Sequence, residues 1–362
     1  MPLTPRNVSL TLTSLSEGIL LSRGFHCLAI LAIFLSLSAT TTSAEYFSPT
    51  SACPCPPSNS TFGRAVRAGD EVFLVSTRAL PSHCQSEMLV GQMRVKRYDP
   101  ALGWQPDSLA ALTEKPSPGG QTQLLMHGNW MDAAWTERRG WEMYHQLIQG
   151  LPENQPIRYI IWSWPSDRQP KPLRTTRQNA SRSDDEAFYV GWLLSQLPRE
   201  ERVSLIGFSL GARVLSGGLH LLGGGTLRGR ALPDHESNTH GYRVAFWAGA
   251  VSVSSPTLYG SRQQAWDQVD SLLNIFNSAD PVLRRYHLVT RQKGDRAIGL
   301  NGIYVASADN REKLTQLNAC RIVGKDHAWD RYIGSPTLMQ RTRAQLTWPL
   351  ETEVADASLA SK

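Results

Sequence analysis

Val203-Ser-Leu-Ile-Gly-Phe-Ser-Leu-Gly-Ala-Arg-Val214 decides the architecture of this chain. An apolar run ends at Ile206, the turn Gly207-Phe-Ser209-Leu-Gly211 follows, and a helix-compatible run from Ala212 to Leu222 begins at once. That order, strand then turn then helix, is the setting of a nucleophile elbow: the serine backbone is strained, its Oγ projects over the sheet edge, and a helix N-terminus stands behind it. Strand and helix pack so closely around such a turn that the positions two before and two after the serine have no room for a Cβ, and both are glycine here. The pentapeptide alone would also suit a plain helix entry with Ser209 a bystander. The flanking strand and helix favour a nucleophile.

Outward from the elbow, strand and helix patterns alternate. Asp70–Thr77 and Met93–Tyr98 read as opening strands, the second closed by a turn at Leu102-Gly-Trp104. Gln123–Met126 reads as a strand ending in His127-Gly128-Asn129-Trp130, and Asp132–Gln149 as a helix with Trp135, Trp141, Tyr144 and Leu147 near one face. Arg158–Ser163 is a strand stopped by Trp164-Pro165-Ser166; a polar, arginine-rich loop then leads to a helix over Asp184–Leu197. Strands follow at Tyr242–Gly249, Leu272–Asn277 and Leu314–Val323. The alternation predicts an α/β fold with a mostly parallel, doubly wound sheet and helices on both faces.

In such sheets the reactive groups gather at the carboxyl ends of the strands. A serine hydroxyl needs a histidine base, itself oriented by a carboxylate, so an acid and then a histidine are expected at strand ends beyond Ser209. Asp280, in Asn277-Ser-Ala-Asp-Pro-Val-Leu283, follows a buried strand and precedes a helix; capping that helix is the plainer role, and the two are compatible. Asp270 and Asp295 are worse placed, and Asp326 and Asp330 flank the histidine too closely. His327, in Gly324-Lys-Asp-His-Ala-Trp329 after the last strand, is the candidate base, with His287 as runner-up. Two amides should receive an oxyanion: that of Leu210 after the nucleophile and that of Asn129 in the loop after Met126. His127 reads as structural.

His127-Gly128-Asn129, Trp164-Pro165-Ser166 and Gly207-Phe-Ser209-Leu-Gly211 together resemble the α/β-hydrolase superfamily over about Asp70 to Leu346, and within it a lipase-like branch of hydrolases of unknown function. The resemblance implies a central, mostly parallel sheet, no cofactor, and Ser209, Asp280 and His327 as nucleophile, acid and base. The expected activity is an exported serine hydrolase cleaving a small-molecule or lipid-like carboxylic ester through an acyl-enzyme. A non-catalytic binding or envelope-associated protein on the same scaffold is the alternative, since fold does not fix function.

The remaining composition bounds the rest. A chain of 362 residues, 41% hydrophobic and 19% charged, suits one large domain with a leader and a tail. We divide it into a signal peptide or membrane anchor (1–44), a flexible Pro/Ser-rich leader (45–69), the catalytic-type domain (70–346) and a disordered tail (347–362). The run Cys27–Ala39, preceded by Arg23 and followed by Thr-Thr-Thr-Ser-Ala44, reads as an export signal and is short for a membrane span; uncleaved, it would hold the protein at a membrane. Cys84 with Cys53 or Cys55 would form a disulfide after export, while Cys320 reads as a buried free thiol. No histidine or cysteine spacing suits a metal. The net charge of +6 lacks the aromatic-interleaved basic stripe of nucleic-acid binders, so it reads as solvated surface, with an affinity for anionic surfaces or substrates left open. The glycine-rich stretch Gly223–His240 reads as either a cap or a disordered insertion.

Overall fold

The computed structural model describes residues 65–81, 92–233, 241–256, 260–305 and 307–348. The expected signal segment, Cys27, Cys53, Cys55 and Cys84, most of the leader, residues 234–240 and the tail beyond 348 lie outside these ranges. Among the described residues one sheet contains β1 (Glu71–Ser76), β2 (Arg94–Asp99), β3 (Gly103–Asp107), β4 (Gln121–Met126), β5 (Arg158–Ser163), β6 (Arg202–Phe208), β7 (Tyr242–Trp247), β8 (Val269–Phe276) and β9 (Leu314–Asn318). Its order is β3-β2-β1-β5-β4-β6-β7-β8-β9. β1 and β4 to β9 pair in parallel, whereas β2 runs antiparallel to β1 and to β3. The stretch Leu102-Gly-Trp104 is therefore not a terminal turn: Gly103, at φ +75°, turns the chain into β3 and completes a hairpin.

This is an α/β-hydrolase fold, and its strand order explains where a site can form. The chain places β5 on one side of β4 and β6 on the other. Loops leaving the carboxyl ends of β4 and β6 therefore diverge and leave a crevice between them, the usual binding position in an open parallel sheet. All six residues of both β4 and β5 are buried. Helices covering both faces demand such continuous burial, in place of the alternation of a one-faced sheet.

Helix α1 (Ala133–Ile148) starts at Asp132, whose side chain accepts from the Trp135 amide, and buries Trp141, Met143, Tyr144 and Leu147. Trp135 departs from the expected face; it stays half-buried, with the Arg138 guanidinium 5.1 Å from its ring. Gly140 lets α1 approach the sheet, since a Cβ there would stand 2.4 Å from Ile161. Helix α3 (Leu210–Leu222) follows the elbow, and α4 (Pro336–Leu346) closes the chain against β7 and β8.

Four expectations need correction. The arginine-rich stretch before Asp184 is not a loop, because α2 runs from Pro172 to Gln196. Its polar middle looked unfit for a core, yet Arg182, Ser183, Asp184, Asp185 and Glu186 are all buried, and each charge has a partner. Asp184 meets Arg213 and Arg262, Asp185 meets Arg230, and Arg182 meets Glu186. Charges tolerate burial only when paired in this way. The last strand stops at Asn318, and Cys320 begins a one-turn helix (Cys320–Val323) as a half-buried free thiol. Residues 223–233 pack on α2 and α3 instead of standing free, with Leu227 buried and Arg230 on Asp185.

Residues just outside 70–346 also pack on the body. Arg67 donates to Asp70, Pro152 and Gln155, so the body begins before residue 70. Trp348 is 8% exposed, donates from Nε1 to Ser204 Oγ at 3.0 Å in β6, accepts from Gln155, and lies under Arg243 at 4.4 Å. Trp348→Ala should therefore lower the unfolding free energy by about 3 kcal/mol, the usual cost of emptying a large aromatic site. Urea unfolding checks this; a loss under about 0.5 kcal/mol, the level of an ordinary surface change, would return the boundary to Leu346.

Candidate active site

Ser209 has φ +53° and ψ −116°, a conformation that L-residues seldom adopt and that costs on the order of 1–3 kcal/mol. Its neighbours hold it there. The Ser209 amide donates to Trp247 O at 2.9 Å, and its carbonyl accepts from Ala250 at 2.9 Å and Ala212 at 3.2 Å. A Cβ on Gly211 would lie 2.1 Å from Met126 O, and one on Gly207 would lie 2.8 Å from the Ala212 backbone. Both glycines of the motif are thus explained by contact, as the sequence suggested.

The three candidate side chains, far apart in the chain, meet above this turn. His327 Nδ1–H donates to Asp280 Oδ2 at 2.5 Å, and its Nε2 lies 3.0 Å from Ser209 Oγ, so that the hydroxyl donates to it. Asp280 is fully buried, and its other oxygen accepts from the Val282 and Leu283 amides at 2.8 and 2.9 Å. One carboxylate therefore caps the turn after β8 and orients the imidazole, the dual use that its position allowed. The Phe208 ring packs 5.3 Å from the imidazole and also meets Trp329 and Tyr332, which support the histidine loop from below. His287 is exposed on Tyr286–Thr290; Asp270 is exposed, Asp295 accepts from Ser252, and Asp326 pairs with Arg331.

A residue that sequence reading passed over joins the acid and histidine loops. Asn277 is fully buried; its Nδ2 donates to Gly324 O at 2.9 Å and Asp326 O at 3.0 Å, while its Oδ1 accepts from Ala279 at 3.0 Å. Its place three residues before Asp280 at a strand end was the only available signal.

The loop after β4 is set by a second group. His127 Nδ1–H donates to Gly128 O at 2.9 Å, and Nε2 accepts from the Trp164 amide at 3.2 Å. Trp164 Nε1 returns a bond to His127 O, and Ser166 Oγ donates to Gly128 O at 2.9 Å. With the Gly128 carbonyl held toward Ser166, the trans peptide turns the Asn129 N–H the opposite way. The Asn129 side chain is fixed as well, donating to Thr176 and accepting from Asn179. Gly128 is again a contact glycine, since a Cβ would come 3.1 Å from Ser209 Cβ.

Asn129, Leu210, Ser209 and His327 all face one cavity of about 150 Å³, walled on its apolar side by Phe208, Leu283 and Val289. Thr176 of α2 and Trp130, which adopts φ +59°, also line it. Tyr286 completes the wall, its hydroxyl accepting from Arg213, which in turn binds Asp184. Among the described residues no cluster of three or more His, Cys, Asp or Glu could hold a metal, and no helix is long and apolar enough to cross a membrane.

No family model and no curated protein matches the chain. Among solved structures it is similar to an inhibited esterase B from Lactobacillus rhamnosis, at 12% identity and a TM-score of 0.35 over 82% of this chain and 92% of that one. An acyl-protein thioesterase 2 from Zea mays matches at 15% identity and a TM-score of 0.32, over 64% and 97%. A lipase-esterase related protein from Clostridium acetobutylicum matches at 10% and 0.29, over 62% and 93%. The fold assignment rests on the sheet order and the elbow.

The buried His127 predicts a pH effect on stability. Burial pushes its pKa down from 6.5 to about 3, so the folded protein keeps it neutral while the unfolded chain protonates near 6.5. Its contribution is complete above pH 6.5 and is lost as pH falls toward 3, with a slope approaching 1.4 kcal/mol per unit. His127→Asn, measured by denaturant unfolding from pH 8 to 4, should show a shallower acid loss than the wild type. Parallel curves would mean that His127 takes no part in it.

Proposed function

We propose that the protein is a serine hydrolase that cleaves carboxylic esters through an acyl-enzyme on Ser209. The observation that carries this reading is the unbroken relay from Asp280 through His327 to Ser209, 2.5 and 3.0 Å long, at the mouth of a cavity. In the proposed reaction His327 Nε2 takes the hydroxyl proton as Oγ attacks the ester carbonyl, and Asp280 stabilises the imidazolium without taking the proton. The amide of Leu210, at the first position of α3, has no acceptor within the helix and is free to meet the oxyanion. The Asn129 amide supplies the second donor. His327 then protonates the departing alcohol, and a water activated by the same imidazole releases the acid.

The strained backbone of Ser209 fits this assignment, because it keeps Oγ out of the helix and within reach of both amides. Asn277 acts as a positioning residue, fixing the distance between the acid turn and the histidine loop. Export rests on the sequence alone, on the apolar run Cys27–Ala39.

Three substitutions test the assignment. Ser209→Ala in purified protein should abolish turnover of p-nitrophenyl acetate or butyrate and labelling by a fluorophosphonate. Labelling that persists would sink the proposal, and an unmutated protein that never labels would favour the non-catalytic scaffold. Asp280→Asn should leave the fold standing yet reduce kcat by on the order of 10³-fold or more, since the imidazole loses its orienting acceptor. Asn277→Ala should lower kcat about tenfold with little change in KM, the signature of a group that matters only for transition-state geometry. A rise in KM at constant kcat would remove Asn277 from that role.

A further inference from the structure

Two segments that contribute residues to the cavity wall carry the chain's net positive charge. Residues 167–177 run into the first turns of α2, which contributes Thr176 to the lining; residues 281–296 contribute Val282, Leu283, Tyr286 and Val289. The two segments are tied together where Arg177 Nε donates to Leu288 O at 2.8 Å. Between them they hold nine basic residues (168, 171, 174, 177, 284, 285, 291, 293 and 296) against two acidic ones. That net +7 exceeds the +6 of the whole chain, so the remainder is close to neutral.

Only one of the two acids is neutralised from outside the set, and the charge of the other is already counted in the net of +7. Asp167 is bound to Arg78 at 2.8 Å, and Asp295 accepts from Ser252 at 2.6 Å. Eight of the nine basic residues are exposed and Arg177 is half-buried. Arg174, Arg284 and Arg291 have no ion-pair partner among the described residues, and the Arg168 guanidinium lies 5.1 Å from the ring of Trp130, itself part of the cavity wall. The histidine loop adds no bias, since Lys325 and Arg331 balance Asp326 and Asp330, and Asp280 is buried beneath it. Asp132, on the loop after β4, is engaged in capping α1.

An apolar cavity whose lining segments carry exposed cations, three of them without an ion-pair partner among the described residues, suits a ligand that is apolar at one end and anionic at the other. Resting on the hydrolase reading, we infer that the substrate is a soluble ester with a small apolar acyl group and an anionic alcohol part, carboxylate, sulfonate or phosphate. The acyl chain enters the cavity beside Phe208, Leu283 and Val289. The anion stays at the rim among Arg174, Arg284 and Arg291, where water is present and the attraction is long-ranged and screened by salt. Arginine's planar fork suits such oxyanions better than lysine does, and arginine supplies seven of the nine cations.

The test compares 4-sulfophenyl butyrate with its neutral sulfonamide counterpart, each rate corrected for its own hydroxide hydrolysis. At low ionic strength the wild type should prefer the anionic ester about tenfold in kcat/KM, mainly through KM, and the preference should shrink toward unity near 0.5 M salt. The double variant Arg174→Glu/Arg284→Glu should reverse the preference, and Arg291→Glu alone should reduce it. The preference is a ratio within one protein sample, so partial loss of fold in a variant cancels. Wild type that hydrolyses both esters without preference overturns this inference and leaves the hydrolase reading standing; absence of turnover together with absence of fluorophosphonate labelling removes both. Co-sedimentation with phosphatidylglycerol vesicles alongside a ratio of one would assign the charge to a membrane surface instead, and would equally overturn the proposal.

Discussion

The site depends on a near-contact between two loops. Helix α3 rests on the carboxyl end of β4 with Gly211 against Met126 O, and Gly128 of the next loop lies against the Ser209 side chain. A methyl group at position 211 would meet a backbone oxygen at 2.1 Å, and backbone cannot swing aside as a side chain can. Elbow and loop must therefore separate or stay as they are. Because β4 and β6 are neighbours at the point where the strand order reverses, this contact also fixes the floor of the crevice. Ser209 and the peptide opposite it are thus positioned by the sheet itself, with little left to loop flexibility.

The other side of the crevice is held by polar bonds. Asp280 and Asn277 stand on one turn after β8, and between them they reach the imidazole and the two carbonyls that precede it. Each is fully buried, so an unmade bond there would leave a desolvated polar group costing about 1–3 kcal/mol. That penalty keeps a long loop in one conformation. His127, Trp164 and Ser166 do the same for the loop after β4, which explains why three separate motifs in the sequence belong to one site.

Much of this was legible in the sequence because it is local. The elbow needs two glycines and a serine at fixed spacing, and parallel strands announce themselves as short apolar runs, so Ser209, Asp280 and His327 could be named and found side by side. What stayed hidden was set by partners distant in the chain. The first half of α2, up to Ser183, reads as a solvated loop because it is polar and rich in arginine, and only the positions of Arg213, Arg230 and Arg262 in space allow the charged stretch from Arg182 to Glu186 to lie buried in one continuous helix. Trp348 reads as a tail residue because its partners, Ser204, Gln155 and Arg243, lie more than a hundred residues away. Cys320 reads as part of a strand because β9 and the following helical turn share one apolar pattern with too few residues to reveal the change of period.

The same hidden network bears on the cavity mouth. Asp184 is clamped by Arg213 from α3 and by Arg262, and Arg213 also holds the hydroxyl of Tyr286 in the cavity wall. Helix α2 is therefore anchored at its middle by buried ion pairs, while its N-terminal turns carry Thr176 to the cavity wall. Buried pairs contribute little net stability, because desolvation consumes most of their attraction, but breaking one leaves a lone charge in the interior and is strongly unfavourable. Their effect here is on orientation. They forbid α2 from sliding along α3, and so hold the start of α2 and Ser209 in one fixed relation.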